Sequence, residues 1–316
     1  MKKFIKKTII FAIILLLLSV TLDVMISFGL KKTDCYRFEV FNQIMKGDMN
    51  HDVLIMGNSR GFSHFNTAII DSVCNADSYN IGLGGYPFNV QIAEYECYKK
   101  HNVLPKVIIQ EMSFSSLGFM EDIRHQHDSQ RFFPTVYDKT MRKELRKLGY
   151  GFLELYCPLY RYNGYQMVIK NGLLEFLHLK HFVDRPTYKG FSPEKGPWNG
   201  AEAAKIETIK GSFDERSVKL FEDFLADCKQ NNIYVLLVNS PVYAPTTAKV
   251  ENMEELNSYF SETARKYGFT YLNYTKDYDL CNDTSNFCVS VHLNPKGTDK
   301  FTIDFANKLD SLQLLN

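Results

Sequence analysis

Residues 53–60 read Val53-Leu-Ile-Met56-Gly57-Asn58-Ser59-Arg60. The first four residues form a continuous apolar run, which is typical of a strand buried on both faces of a parallel sheet. Gly57 permits a sharp turn after this strand, and residues 65–74 have helical spacing. The segment therefore predicts a strand, a turn and a helix, with Ser59 held on the turn at the carboxyl end of the strand.

The same strand-then-helix pattern recurs along the chain. Further apolar runs predict strands at 79–83, 106–110, 233–238 and 269–274. Helical spacing predicts helices at 87–100, 212–231, 250–267 and 295–312. Repeated β-then-α units imply a mostly parallel five-stranded sheet with helices on both faces, which is a three-layer α/β/α fold.

Residues 113–210 interrupt this pattern between the third and fourth predicted strands. They are rich in Phe, Tyr, Arg and His, contain five prolines, and have helical signals only around 139–148 and 164–179. Insertions beyond the carboxyl ends of strands lie beside the ligand crevice of an open sheet. We therefore expect the insertion to shape a substrate surface, with a packing subdomain as the alternative.

Charge is balanced overall but uneven along the chain. The 316 residues include 37 basic and 36 acidic residues, which excludes a disordered polyelectrolyte and a dedicated nucleic-acid binder. Residues 1–32 contain six lysines and one acidic residue, so residues 33–316 carry 31 basic and 35 acidic groups, a net charge of −4. The N-terminal 32 residues are thus basic and apolar, and the rest of the chain is mildly acidic.

Residues 1–32 predict a membrane anchor. The stretch 8–30 has Asp23 as its only charge, and a helix of this length rises about 35 Å, enough to cross a hydrocarbon core of about 30 Å. Four lysines among the first seven residues favour a cytoplasmic N-terminus. We expect an uncleaved signal anchor, with the domain 33–316 in the periplasm or at the cell surface. A cleaved signal peptide is the alternative, although no small-x-small site follows the run 9–18.

Polar and glycine residues follow several predicted strands, at the edge where parallel strands end together. Ser59 follows the first strand and is the candidate nucleophile. Gly85 follows the second strand, where its N–H is a candidate oxyanion donor, as are Ser59 and Ser113. His292 lies between the last strand and the last helix, which suits a general base. No Cys-x-x-Cys or Cys/His spacing suggests zinc, and we expect no metal and no cofactor. Residues 125–128 (His-Gln-His-Asp) are ligand types in a loop without a matching second cluster, so a metal there is the lesser alternative.

These features resemble the motif blocks of the SGNH (GDSL-type) hydrolase family. Gly57-Asn-Ser59-Arg is similar to its nucleophile block, which is usually Gly-Asp-Ser. Asn80-x-Gly82-x-x-Gly85 is similar to its glycine block, and Ser290-Val-His292-Leu-Asn-x-x-Gly297 to its histidine block. The resemblance covers about residues 50–112 and 212–312. It implies a nucleophilic Ser59, a general base His292 and ester chemistry without a metal.

Two positions depart from the family pattern. The third block is usually Gly-x-Asn-Asp, with the Asn as an oxyanion donor, whereas residues 112–115 read Met-Ser-Phe-Ser. Ser113 and Ser115 are the candidates to replace that Asn. The family usually has an Asp three residues before the His, where this chain has Val289. Three alternatives follow: a Ser–His dyad, an imidazole oriented by a carboxylate from elsewhere, or impaired catalysis. The candidate orienting carboxylates are Asp279, Asp283 and Glu111.

Four further residues are candidates for substrate binding. Arg60 and His64 follow the serine and would meet an anionic or polyhydroxyl substrate, with solvation of a helix start as the alternative. Tyr243 follows the fourth strand, where it would stack on a sugar ring or merely fill the crevice. Asn294 belongs to the histidine block.

Two functions therefore compete, and whether the protein is an enzyme stays open between them. The first is a membrane-anchored serine esterase or O-acyltransferase acting on an acylated cell-envelope polysaccharide or another envelope ester. The carbohydrate substrate is inferred by analogy with exported members of the family. The alternative is a catalytically impaired protein of the same fold that serves as a glycan-binding or scaffold module in envelope assembly. Val289 and the missing Asn of the third block motivate this alternative.

Overall fold

The computed structural model describes residues 1–126, 128–183, 185 and 187–315. The chain divides into two compact units. Unit 1 comprises residues 1–47, 96–101 and 121–186, and unit 2 comprises residues 48–95, 102–120 and 187–316. Most of the insertion predicted at 113–210 thus belongs to the same unit as the N-terminal residues.

The helices follow one another along the chain with these bounds. They are α1 (Lys2–Leu30), α2 (Tyr36–Lys46), α3 (Ser59–His64), α4 (Thr67–Cys74), α5 (Phe88–His101), α6 (Lys139–Lys147), α7 (Phe152–Tyr156), α8 (Gln166–Phe176), α9 (Gly200–Lys205), α10 (Glu215–Gln230), α11 (Ala244–Thr247), α12 (Met253–Tyr267), α13 (Tyr278–Cys281) and α14 (Pro295–Ser311). Short 3-10 helices lie at Ser129–Thr135, Tyr160–Tyr162 and Thr284–Asn286.

A five-stranded parallel sheet forms the centre of unit 2 and confirms the predicted α/β class. Its strands are β1 (Val53–Met56), β2 (Ser78–Asn80), β3 (Val107–Glu111), β4 (Tyr234–Asn239) and β5 (Thr270–Asn273), in the order β2-β1-β3-β4-β5. A small antiparallel pair, β6 (Phe287–Val289) and β7 (His292–Leu293), precedes the last helix. Helices flank the sheet, as expected for three layers.

Both faces of the sheet are covered by apolar side chains, which explains the continuous apolar runs in the sequence. Val53 and Ile55 of β1 belong to a buried cluster that includes Phe301 and Phe305 of α14. Alternate residues such as Leu54 point to the opposite face and are also fully buried. Strand β1 and most of β3 and β4 are apolar, as burial on both faces requires. Strand β2 and the carboxyl ends of β3 and β4 contain buried polar residues instead.

Strand β2 ends three residues earlier than predicted. After Asn80 the chain leaves the ladder with β1 but stays beside it, because Leu83 donates its N–H to Gly57 O at 2.8 Å. Gly82 permits this path, since a Cβ at that position would lie 2.5 Å from Phe62 N. The apolar run 79–83 is therefore part strand and part buried loop.

Unit 1 is helical and contains α1, a helix long and apolar enough to cross a membrane, with a mean hydropathy of 2.9 over its best window. The C-terminal part of α1 packs on α8 and on the 3-10 helix Ser129–Thr135. Its buried residues are Asp23, Ile26, Ser27, Gly29 and Leu30.

Candidate active site

The candidate site lies at the carboxyl edge of the sheet, where the strand order reverses between β1 and β3. Open parallel sheets bind ligands at such a reversal because the connections diverge there and leave a crevice. Ser59 begins α3 directly after β1. Asn58 caps this helix, since its Oδ1 accepts the Arg60 N–H at 3.0 Å. The local sequence thus holds the Ser59 backbone between a buried strand and a capped helix.

Ser59 and His292 meet at this edge although 233 positions separate them in the chain. The distance between Ser59 Oγ and His292 Nε2 is 2.8 Å, and both residues are half-buried. His292 is the first residue of β7, and its cross-strand partner in β6 is Val289. The hydroxyl and the imidazole are therefore within hydrogen-bond distance without being sealed from solvent, an arrangement that suits proton transfer.

The glycine loop after β2 borders the hydroxyl of Ser59. Asn80 shapes this loop, because its Oδ1 accepts the Gly82 N–H at 2.9 Å while its Nδ2 donates to Gly61 O at 2.9 Å. A Cβ at Gly84 would lie 4.0 Å from Ser59 Cβ, whereas one at Gly85 would meet open space. Gly85 is exposed and has a φ of +80°, a left-handed conformation that favours glycine. Gly84 thus lies close to Ser59, and the exposed side of Gly85 is open.

Ser113 supports the turn that carries Ser59. Its hydroxyl is buried and accepts a hydrogen bond from Asn58 Nδ2 at 2.7 Å. The Ser115 N–H also donates to this hydroxyl, at 3.2 Å, and the Ser113 N–H donates to Ser116 Oγ at 2.7 Å. Ser113 thus contacts the residue that precedes Ser59.

A buried polar network lies behind the Ser59–His292 pair. His64 Nε2 accepts the N–H of Leu293 at 3.1 Å, so its Nδ1 carries the proton and donates to Ser240 Oγ at 2.9 Å. Ser240 Oγ lies 3.4 Å from Glu111 Oε1, which pairs with Arg60 Nη2 at 2.7 Å. The network connects the backbone next to His292 to the carboxyl end of β3.

Arg60 and His64 are therefore interior residues. Arg60 is 3% exposed and also donates to Ser240 O at 3.1 Å, and His64 is fully buried. Neither side chain solvates a helix start, and both are occupied by protein partners. The position of Ser240 directly after the fourth strand predicts that it lies at this edge, but its sequence context indicates no role for its hydroxyl.

The electrostatics of the network follow from its burial. Burial lowers the pKa of His64 well below its ordinary value of 6.5, and the nearby His292 and Arg60 lower it further. The imidazole of His64 is therefore neutral near pH 7. Burial also raises the pKa of Glu111, while Arg60 and a hydrogen bond from Ser240 oppose that rise.

The predicted orienting carboxylates occupy different environments. Glu111 is buried in the network with Arg60 and Ser240. Asp279 is exposed on α13, and Asp283 is exposed and accepts the Ser285 N–H at 2.9 Å. That hydrogen bond from Ser285 lowers the pKa of Asp283.

Tyr243 packs against aromatic side chains beside the histidine segment. Its ring centroid lies 4.9 Å from that of Trp198 and 6.1 Å from that of Phe287, and its N–H donates to Ser290 O at 2.9 Å. The ring that was a candidate for stacking on a sugar is thus engaged in T-shaped contacts with protein side chains, which also brace the loop before β7.

Asn294 and Glu202 hold the histidine segment in place. The Asn294 side chain caps α14 by accepting the Gly297 N–H at 3.0 Å, and it donates to Ser285 O at 2.8 Å. Glu202 of α9 accepts from the N–H and the hydroxyl of Ser290, both at 3.0 Å. Sequence reasoning missed Glu202, because nothing in its local pattern relates it to a residue so far along the chain.

Comparisons with known proteins add no family assignment. No protein-family model matches the chain, and a search of the curated proteins finds no match. Among the residues that the structure describes, no group of three His, Cys, Asp or Glu side chains is placed to hold a metal ion.

Proposed function

We propose that the protein is a membrane-anchored, extracytoplasmic serine esterase or O-acyltransferase that acts on acylated cell-envelope carbohydrate. The observation that carries this proposal is the distance of 2.8 Å between Ser59 Oγ and His292 Nε2 at the carboxyl edge of the sheet. The resemblance of residues 57–60, 80–85 and 290–297 to the SGNH blocks supports ester chemistry. The apolar helix α1 supports the anchor.

The mechanism follows from the two side chains. His292 Nε2 accepts the hydroxyl proton as Ser59 Oγ attacks the acyl carbonyl carbon. The N–H groups of Ser59 and Gly85 are the candidate donors to the oxyanion that develops. His292 then returns the proton to the departing alcohol, which leaves an acyl group on Ser59. Water or a sugar hydroxyl, deprotonated by His292, attacks that acyl group and restores the serine.

The proposal assigns Ser113 and His64 to positioning. Ser113 holds Asn58, and Asn58 holds the turn that presents Ser59. His64 accepts the N–H of Leu293, so it sets the backbone that follows His292. These two contacts hold the backbone next to Ser59 and next to His292. They thereby preserve the distance between hydroxyl and imidazole that proton transfer requires.

The decisive test compares the full-length protein with its Ser59→Ala variant in detergent. We expect Ser59→Ala to abolish labelling by a fluorophosphonate and to lower hydrolysis of an aryl acetate by at least about a thousandfold. Ser261→Ala, which changes an exposed serine on α12, is the matched control and should retain both activities. Equal turnover and equal labelling of wild type and Ser59→Ala would remove the catalytic proposal.

A second function is favoured by one observation, the valine at position 289. An Asp at that position would face His292 across the β6–β7 pair, yet this chain has an apolar side chain there. Loss of a triad carboxylate slows catalysis about ten-thousandfold. The alternative proposal is a glycan-binding or scaffold protein of the same fold. Glycan binding that is unchanged by Ser59→Ala, together with no acyl turnover by wild type, would favour it.

A further inference from the structure

Helix α1 has two parts with different surroundings. Apolar side chains from Phe4 to Leu18 are exposed, at 73% and 62% for these two residues. From Asp23 onward the helix is largely buried in unit 1. The exposed part spans residues 2–22, and its charge-free stretch, residues 8–22, rises about 22 Å. The lysines that precede this stretch can extend along the helix to the headgroups, which lengthens the part that the bilayer accommodates. Asp23 therefore marks the point where the helix leaves unit 1.

The exit point at Asp23 is built from polar contacts within unit 1. Asp23, which is 1% exposed, forms an ion pair with Arg161 and accepts a hydrogen bond from the hydroxyl of Tyr137. Its Oδ2 also accepts the N–H of Leu159 at 2.6 Å. Ser27, one turn further on, lies 2.8 Å from the hydroxyl of Tyr162. These contacts attach α1 firmly to the residues around 137 and 159–162.

Helices α6 and α7 are linked to the same exit point. Arg142 of α6 donates to Tyr137 O at 2.8 Å, and its guanidinium lies 5.2 Å from the ring centroid of Tyr156 in α7. Arg146 contacts the same ring at 5.4 Å, and Tyr156 stacks on Phe152 with centroids 5.2 Å apart. A continuous set of contacts thus runs from Asp23 to the exposed aromatic side chains.

The solvent-facing side of these helices is basic and aromatic. Helix α6 carries five basic residues and one acidic residue, Glu144, which is buried. The exposed aromatic side chains near it include Phe152 at 70% and Tyr160 at 45%. We call this set the basic–aromatic surface: Lys139, Arg142, Lys143, Arg146, Lys147, Tyr137, Phe152, Tyr156 and Tyr160.

We propose that the basic–aromatic surface lies on the membrane that α1 enters and contacts anionic phospholipid headgroups. Aromatic side chains concentrate at the headgroup level of membrane proteins, and basic side chains near a membrane are attracted to anionic lipids. Both kinds of side chain occur here beside the exit point of an apolar helix. The proposal rests on α1 being inserted in the membrane and is independent of the ester chemistry at Ser59.

The test is amine footprinting of the full-length protein in two kinds of nanodisc. One kind contains phosphatidylcholine alone, and the other an equal mixture of phosphatidylcholine and phosphatidylglycerol. Acetylation of each lysine is measured by mass spectrometry, and the ratio between discs cancels local effects such as the ion pair of Lys147 with Glu144. We expect Lys139, Lys143 and Lys147 to react at least about fivefold more slowly in anionic discs. The control lysines are Lys219, Lys229 and Lys300, which are exposed in unit 2 and should keep their rates.

A second measurement tests the aromatic half of the surface. Phe152→Trp and the matched control Phe213→Trp each place a new indole at an exposed aromatic position, in addition to the native Trp198. Brominated phospholipid should quench the added fluorescence of Phe152→Trp and leave that of Phe213→Trp unchanged. Equal quenching of the two variants would overturn the placement of this surface on the membrane.

Further outcomes decide whether the partner of this surface is lipid or a soluble polyanion. Protection of the α6 lysines that disappears at about 1 M salt, while the protein stays in the discs, supports an electrostatic contact with lipid. Equal ratios for α6 and control lysines would overturn the proposal. So would equal protection by dextran sulfate in detergent, because that result assigns the surface to a soluble polyanion. Failure of the chain to enter discs would overturn the anchor itself, and fluorophosphonate labelling of Ser59 would still test the ester chemistry separately.

Discussion

One buried arginine–carboxylate pair in each unit can be compared, because one lies near the candidate site and the other attaches helix α1. In unit 2, Arg60 and Glu111 are 3% and 0% exposed and lie beneath the Ser59–His292 pair. In unit 1, Arg161 and Asp23 are 4% and 1% exposed and attach α1 to the residues around position 160. The first pair joins residues that adjacent parallel strands bring together. The second joins α1 to a helical unit, where the packing of α1 on α8 holds the apolar helix as well.

Loss of either pair should lower the stability of the protein more than any other change considered below. Asp23→Asn and Glu111→Gln each leave a buried guanidinium without its counter-charge, which costs about 3–5 kcal/mol. We expect both variants to lower the free energy of unfolding by that amount in detergent, measured by denaturant titration. Only Glu111→Gln should also lower fluorophosphonate labelling of Ser59, because its network reaches Leu293 through His64.

Matched controls for these variants are Asp304→Asn and Glu254→Gln, which change exposed carboxylates in ion pairs with lysines. Exposed pairs contribute between about 0 and 1 kcal/mol, so these controls should unfold close to wild type. Equal loss of labelling in Asp23→Asn and Glu111→Gln, with both proteins folded, would contradict the separate roles assigned to the two pairs.

His64→Phe should have the next largest effect. The variant keeps a ring of similar size but leaves the Leu293 N–H without a buried partner, and it removes the hydrogen bond between His64 and the Ser240 hydroxyl. An unsatisfied buried group costs about 1–3 kcal/mol, and aryl acetate turnover should fall because the segment after His292 loses its support. Thermal unfolding and kcat measure the two effects.

The same variant tests how the stability of the protein depends on pH, and the direction of the change is defined. Because the pKa of His64 is lowered in the folded protein, the unfolded state binds a proton first as the pH falls below 6.5. Wild type should therefore lose up to about 1.4 kcal/mol per pH unit below that point relative to His64→Phe. An unchanged difference between the two proteins from pH 7 to pH 5 would contradict a neutral, buried His64.

His181 in unit 1 is the matched control, and its contribution to stability should change with pH in the opposite direction. Hydrogen bonds to Glu175 and Asp34 raise its pKa above 6.5 in the folded protein. Its contribution to stability is therefore present at low pH and is lost as the pH rises through the raised pKa. His181→Phe should remove a stabilisation at low pH, whereas His64→Phe removes a destabilisation there.

Val289→Asp tests whether a carboxylate can orient the imidazole of His292. Cross-strand neighbours have Cβ atoms about 4.5–5.5 Å apart, so a carboxylate at 289 should reach the ring of His292. We expect kcat for aryl acetate to rise about tenfold, a barrier lower by about 1.4 kcal/mol. Val289→Asn, of equal size but without charge, should give no such gain. An equal rate for both variants would count against a carboxylate-assisted imidazole.

The smallest effect is expected from the helix cap at the histidine segment. Asn294→Ala removes the side chain that accepts the Gly297 N–H and should cost about 1 kcal/mol of stability. Asn307→Ala, an exposed position within the same helix, is the control and should not destabilise the protein. An unchanged unfolding midpoint for Asn294→Ala would show that the cap contributes little there.

Local patterns predicted the sheet because short runs rich in apolar residues alternate with helical segments. The run 53–56 became β1, and the candidate residues that follow β1 and β3 lie together at one edge. The extent of β2 was overestimated, because a buried loop that passes beside α3 has the same apolar composition as a strand. The partners of Arg60 and His64 were beyond prediction, since burial depends on side chains contributed by β3 and β4.

The parallel α/β architecture and the apolar N-terminal helix could be predicted from the amino-acid sequence, as could the positions of Ser59 after β1 and of His292 before the last helix. These properties follow from composition, periodicity and short motifs, all of which act over a few neighbouring residues. Only the tertiary structure decided that His64 and Arg60 are interior, that Glu202 holds Ser290, and that Asp23 is paired with Arg161. Each of these contacts joins groups far apart in the chain, and only the packing of whole elements brings them within hydrogen-bond distance.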